Sequence, residues 1–163
     1  MYSDFRHPVL KVTLLGFVLS LVAAPALGAD APAMLAVGPL TVHAVEHATM
    51  VLTHGEAVIY VDPVGGEEAF AGHPRPDLVL VTDVHGDHLD AATIDAVADE
   101  ATPIVMPRAV AARIGERPGG AILDNGETVE QKGVAIEAIA AYNLTEERQR
   151  FHAKGRGNGY VLT

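Results

Sequence analysis

Asp77-Leu78-Val79-Leu80-Val81-Thr82-Asp83-Val84-His85-Gly86-Asp87-His88-Leu89-Asp90 is the stretch on which the reading of this chain turns. Leu78 to Val81 is an unbroken apolar run, which predicts a buried strand. The run then stops, and Asp83, His85, Asp87 and His88 follow within six residues, with Gly86 among them to permit a tight turn. In open α/β sheets ligands bind beyond the carboxyl ends of strands, and this cluster falls where such a strand would end. Imidazole and carboxylate are the usual nitrogen and oxygen ligands of zinc and of harder divalent ions. On extended chain Asp83 and His85 project to the same side, because side chains repeat with period two. A turn at Gly86 can then aim Asp87 and His88 at a neighbouring point. Two ligand pairs a few ångströms apart suit two metals sharing one water, a pairing that generates hydroxide near neutral pH. The alternative is a solvated turn with chance histidines, since Asp and Gly favour turns in any case.

The segment Thr82 to Asp90 resembles the H-x-H-x-D-H motif of the metallo-β-lactamase superfamily, and most of all the branch that contains ascorbate-6-phosphate lactonase. His85, Asp87 and His88 match the motif; Asp83 stands where the family has His. Three further segments are similar to that branch: His47-Ala48-Thr49, Val61-Asp62-Pro63, and Phe151-His152 followed by Gly155, Gly157, Gly159 and Tyr160-Val161-Leu162. The resemblance implies a first metal held by Asp83, His85 and His152 and a second held by Asp87 and His88. Asp87 is the expected catalytic carboxylate. Asp62 and His47 are expected behind the ligands, Asp62 accepting the second ring N–H of a ligand histidine and fixing its tautomer. On residues alone, Asp62 reads equally as a turn Asp before Pro, and His47 as an ordinary histidine at a strand end. The expected cofactor is zinc, one or two ions; a carboxylate at 83 is harder than imidazole and leaves manganese or iron open.

The chain begins differently. Arg6 and Lys11 precede an uncharged apolar run of 13 residues, Val12 to Ala24, and then Pro25-Ala26-Leu27-Gly28-Ala29. This is the pattern of a secretory signal over residues 1–29, cut after Gly28 or Ala29. A spanning helix needs about 20 apolar residues, so no stable membrane anchor is expected after cleavage. The expected location is periplasmic or secreted. The formal charge of −10 becomes −11 when Arg6, Lys11 and Asp4 leave with the signal. So acidic a surface argues against nucleic acid and anionic lipid as partners and leaves a small-molecule substrate. The chain has no cysteine, which excludes thiolate ligands, a thiol nucleophile and disulfides.

About 134 of the 163 residues remain for one domain, 30–163. Strands are expected at Leu40–Val45, Thr49–Thr53, Ala57–Val61, Leu78–Val81, Ile104–Met106, Thr128–Gln131 and Val134–Ala140, with helices from Ala91 to about Asp99 and from Arg108 to Ile114. Asp90 is the expected N-cap of the first helix. Lys132-Gly133 reads as a hairpin turn, Glu146 to Arg150 as a solvated loop or helical turn, and His43, His54 and His73 as surface or loop residues. The class is α/β, a mixed sheet with flanking helices. The resemblance covers about residues 37 to 163 and only the N-terminal half of the family's αβ/βα sandwich, without the second-half Asp that bridges two metals and without its final His. The chain stops after Tyr160-Val161-Leu162, three residues of an expected strand; a fragment, a frameshifted product and a split gene all fit.

Two functions of different class follow. One is a metal-dependent hydrolase, or half of one, acting on an ester, lactone, amide or phosphodiester. The other is a non-catalytic metal-binding or structural remnant in the periplasm. With so few ligands the chain itself is expected to bind metal weakly and to turn over little. It is also expected to self-associate through an uncovered sheet face.

Overall fold

The computed structural model describes residues 12–14 and 34–163. Two sheets make the frame. The larger has seven strands in the order β2-β3-β4-β5-β6-β7-β8: β2 Met34–Val37, β3 Leu40–Glu46, β4 Thr49–His54, β5 Ala57–Val61, β6 Leu78–Leu80, β7 Ile104–Met106 and β8 Ala121–Ile122. β2 to β5 form an antiparallel meander, and β5 to β8 run parallel. The smaller sheet has the order β1-β11-β10-β9, all antiparallel: β1 Val12–Leu14, β9 Thr128–Gln131, β10 Val134–Ala141 and β11 Gly157–Leu162.

The period of two in β6 explains how the layers assemble. Leu78 and Leu80 enter one core with Leu52, Ile59 and Val105 of the large sheet and Ile136, Ala138, Tyr160 and Leu162 of the small sheet. Val79 and Val81 enter a second core on the other face, with Val51, Tyr60, Ile104 and Met106, where Ile94 and Val97 of helix α1 (Ala91–Val97) and Val110 of helix α2 (Arg108–Ile114) cover them. The central strand is thus buried on both faces, which is why its sequence shows no polar alternation. Each such side chain contributes about 1.5–3 kcal/mol by leaving water. The sheet face expected to lie uncovered is covered: β9, β10 and β11 supply the second layer from the same chain. Large exposed apolar side chains lie elsewhere, at Met34, Leu35 and Val37 on β2 and at Leu144 and Phe151.

Most expected elements stand within two residues of their observed ends. β11 differs. It starts at Gly157 rather than Tyr160 and is paired on both sides, so the chain does not end on a bare edge. Three residues of the apolar N-terminal run, Val12 to Leu14, provide that second partner; the rest of the expected signal segment lies outside the described residues. β2, β8 and the short 3₁₀ turn Glu67–Phe70 have no counterpart in the sequence reading. Lys132 (φ 52°) and Gly133 (φ 78°) make a turn with both central residues left-handed, the geometry that suits the twist of a two-residue hairpin. His43 and His73 are not independent surface residues: their rings meet edge to face at 5.1 Å, and burial together with the His43 charge holds the His73 pKa below its usual value.

Asp90 caps α1, accepting from the Ala92 N–H at 3.0 Å and the Thr93 hydroxyl at 2.7 Å. The Thr93 hydrogen bond leads the causes that hold the Asp90 carboxyl below its ordinary value. Asp90→Ala is therefore expected to cost about 1 kcal/mol in a urea melt, and Asp90→Asn much less. Equal stability of the alanine variant and the parent would contradict the cap.

Candidate metal centre

The site forms where the carboxyl ends of β5 and β6 meet the start of β11. The backbone of β5 ends at Asp62, a buried residue in the left-handed region (φ 46°), where Asp and Asn are tolerated better than most. Its N–H donates to the Leu80 carbonyl at 2.9 Å, and its carbonyl accepts from the Thr49 hydroxyl at 2.6 Å. Its carboxylate receives the Thr82 N–H at 2.7 Å, the Thr82 hydroxyl at 2.5 Å and His88 Nδ1 at 2.8 Å. Burial raises the Asp62 pKa, partly offset by the bonds from His88 and Thr82. Burial also pulls His88 down, but its bond to Asp62 and the charges of Asp62, Asp87 and Asp83 outweigh this and leave it above the usual histidine value. With Nδ1–H committed to Asp62, the His88 lone pair is on Nε2, and that atom faces Asp87 Oδ2 at 3.7 Å.

After Val81 the chain leaves the sheet and turns, with the His88 and Leu89 N–H groups both closing on the His85 carbonyl at 3.0 and 2.8 Å. Gly86 needs no left-handed conformation in this turn, contrary to the role read from its sequence position, and a Cβ there would meet nothing within 4 Å. Asp83 is buried; its Oδ1 lies 3.2 Å from His85 Nδ1. His152 arrives from the loop before β11. Its ring lies 5.0 Å from that of His85 and 6.1 Å from that of His88, centroid to centroid. Burial leads the causes that hold His152 below its usual pKa, so it stays neutral with a lone pair to offer.

Asp83, His85 and His152 each place one ligand atom within 4.8 Å of the others, and this is the one three-residue cluster of His, Asp or Glu with such spacing among the described residues. Ligands about 2.1 Å from a tetrahedral zinc stand roughly 3.4 Å apart, so these groups fit a divalent ion after a closure of about an ångström. Asp87 and His88 stand beside them as a pair. Asp87 and His88 would offer a second ion two protein ligands among the described residues.

His47 sits two residues before Thr49, between β3 and β4. It lies exposed in the β3–β4 turn with φ 45°, and no hydrogen bond joins it to Asp62 or to the motif. In that segment Thr49 is the residue whose side chain bonds Asp62. Sequence reasoning also passed over Thr82, which binds both Asp62 oxygens, and Arg156. The Arg156 guanidinium lies on Asp83, with Nε 3.3 Å from Oδ2 and Nη2 3.2 and 3.3 Å from the two oxygens, and Nη2 also lies 3.3 Å from His85 Nε2. The single signal for it was a lone cation between Gly155 and Gly157, four residues after His152.

Residues 41–163 match the family described as the beta-lactamase superfamily domain. No curated protein sequence matches the chain. Among solved structures, a candidate metal-dependent hydrolase of Parabacteroides distasonis is 36% identical, with a TM-score of 0.68 over 76% of this chain and 56% of that one. Igni18, a metallo hydrolase of the archaeon Ignicoccus hospitalis, superposes with a TM-score of 0.57 at 16% identity, over 76% of this chain and 55% of that one. CmlA, a diiron β-hydroxylase of Streptomyces venezuelae, gives 0.56 at 20% identity, over 78% and 28%. The last two show a shared fold alone. The chain spans about half the length of the first of these relatives. On the family match across residues 41–163, this chain belongs to the beta-lactamase superfamily and has the metallo-β-lactamase fold.

Proposed function

We propose that this chain carries the metal-binding half of a metal-dependent hydrolase, in which Asp83, His85 and His152 form one ligand group and Asp87 with His88 a second. The observation that carries the reading is the Asp62–His88 bond at 2.8 Å beside a three-residue ligand cluster. A buried carboxylate that fixes a histidine tautomer is the usual support of a metal-binding imidazole. A bound divalent ion would supply a water acidic enough to act as hydroxide near neutral pH. The chain's own residues orient that chemistry: Asp62 and Thr82 hold His88, and Asp87, exposed beside His88, is the carboxylate assigned to act on the substrate. The substrate class is an ester, lactone, amide or phosphodiester. The His-Ala-Thr segment and the Asp62-Pro63 turn support the lactonase-like branch. Zinc suits the histidines, and the carboxylates equally admit manganese or iron. Fold alone does not choose among these, since one of the structural neighbours is a diiron hydroxylase.

Export on residues 1–29 is part of the same reading, and cleavage there would take Val12–Leu14 off the β11 edge. Sequencing the N-terminus of the exported protein checks it: a start at Ala29 or Asp30 supports export, and an intact Met1 contradicts it.

The test of function is hydrolysis of a lactone, a carboxylic ester and a phosphodiester by the full chain supplied with zinc or manganese. Slow turnover that stops in His88→Ala is the expected result. Metal uptake with no turnover of any of the three would instead favour the non-catalytic metal-binding reading.

A further inference from the structure

We propose that Arg156 is a built-in cation of the first ligand group, occupying Asp83 and His85 in competition with a metal ion. This rests on the metal-binding reading above and concerns how that site is loaded. A carboxylate offers about four acceptor positions. Asp83 already receives the N–H groups of Val84 at 2.7 Å and His85 at 3.3 Å and the Nε and Nη2 groups of Arg156, Nη2 reaching both oxygens, while His85 Nδ1 lies 3.2 Å from Oδ1. Its acceptor capacity is filled before any ion arrives. His85 is engaged in the same way. Arg156 Nη2 can only donate, and it faces His85 Nε2 at 3.3 Å, so it engages the lone pair on that nitrogen. One guanidinium thus meets the carboxylate and the imidazole nitrogen that an ion would need.

The backbone keeps it there. Gly157 passes so close to the end of β6 that a Cβ would stand 2.8 Å from Asp83 Oδ2 and 2.9 Å from the Thr82 carbonyl. The next residue, Asn158, donates its N–H to that carbonyl at 2.9 Å. Arg156 Nη2 also donates to the Phe151 carbonyl, tying the guanidinium to the loop that presents His152. An arginine cannot relieve the conflict by losing its proton. A metal entering here has to displace the guanidinium or bind without Asp83. Asp at position 83, in place of the family's His, is what gives the arginine its partner.

The test is equilibrium dialysis of the full chain against Co²⁺, with the visible Co²⁺ spectrum as a second readout, for the parent, Arg156→Met, Arg156→Lys and Arg156→Met combined with Asp83→Asn. Arg156→Met is expected to bind Co²⁺ about tenfold more tightly or better, with a changed spectrum as Asp83 joins the ligands. Arg156→Lys, which keeps the charge and loses the fork, is expected to show a smaller gain. Adding Asp83→Asn to Arg156→Met is expected to abolish the gain. Affinity in Arg156→Met equal to or below the parent overturns the proposal, as does a gain that survives Asp83→Asn. If Arg156→Met does not fold, Arg156→Lys decides: a gain supports the competition and no gain overturns it. If the parent binds Co²⁺ through His85 and Arg156→Met is unchanged, the competition alone falls. If neither binds Co²⁺, the metal-binding reading falls with it.

Discussion

Asp62→Asn is expected to weaken divalent-metal binding by about 10- to 100-fold while the chain remains folded. Asp62→Ala is expected to weaken it as much and, in addition, to lower stability by about 2–4 kcal/mol, because buried donors are left without a partner. The reason lies in the donors that converge on this carboxylate. Thr82 donates twice, from N–H and hydroxyl, and His88 once, from Nδ1. Asparagine tolerates the left-handed backbone at position 62 and can still accept the Thr82 N–H. Its amide NH₂ would then face His88 Nδ1 as a donor. That inverts the tautomer, moves the ring proton to Nε2 and removes the lone pair a metal needs. Metal content after dialysis measures the first effect and a urea melt the second. Unchanged metal content in Asp62→Asn would contradict the role given to Asp62.

The same pair sets a pH dependence in the metal-free chain. The His88 pKa is raised in the folded state. Its contribution to stability is therefore fully present below the unfolded value of about 6.5 and is lost as pH rises through the higher folded value. The melting temperature of the metal-free parent is expected to decline across that window, and that of Asp62→Asn to stay flatter. Metal binding should have the opposite trend, strengthening as pH rises, because the ion takes the place of the His88 proton.

Gly157→Ala is expected to destabilise the chain by about 1–3 kcal/mol and to loosen the site. The added carbon would stand 2.8 Å from Asp83 Oδ2 and 2.9 Å from the Thr82 carbonyl. Neither neighbour is a free side-chain end: the carbonyl belongs to the backbone leaving β6, and Asp83 is held by Arg156 and two N–H groups. Gly86→Ala is the matched control, with open space around it and an ordinary φ. It is expected to be neutral within about 0.5 kcal/mol. A Gly157→Ala variant as stable as Gly86→Ala would show that β11 can draw back from β6 at no cost.

Leu78 to Val81, Ile104 to Met106 and the Asp90-capped helix were legible in the sequence because each is specified locally, by an apolar run or a cap. The motif residues were legible because they lie within six positions of one another. β2 was not, since all four of its residues are exposed and backbone pairing with β3 alone makes it a strand. β8 is two residues long and carries no period to read. The second sheet layer was missed because Ile136, Ala138 and Tyr160 show an inward face without showing what it meets. Arg156 was missed for a related reason: it is 73 positions from Asp83, and the two come together through the β11–β6 approach that Gly157 allows.

Zinc bound per chain, measured by equilibrium dialysis of the parent, His85→Ala and His54→Ala, tests the metal centre most directly. His54 is an exposed histidine at the end of β4, outside the motif, and serves as the control. The expected result is zinc uptake by the parent and by His54→Ala, with affinity reduced about tenfold or more in His85→Ala. Equal zinc binding by all three proteins would contradict it.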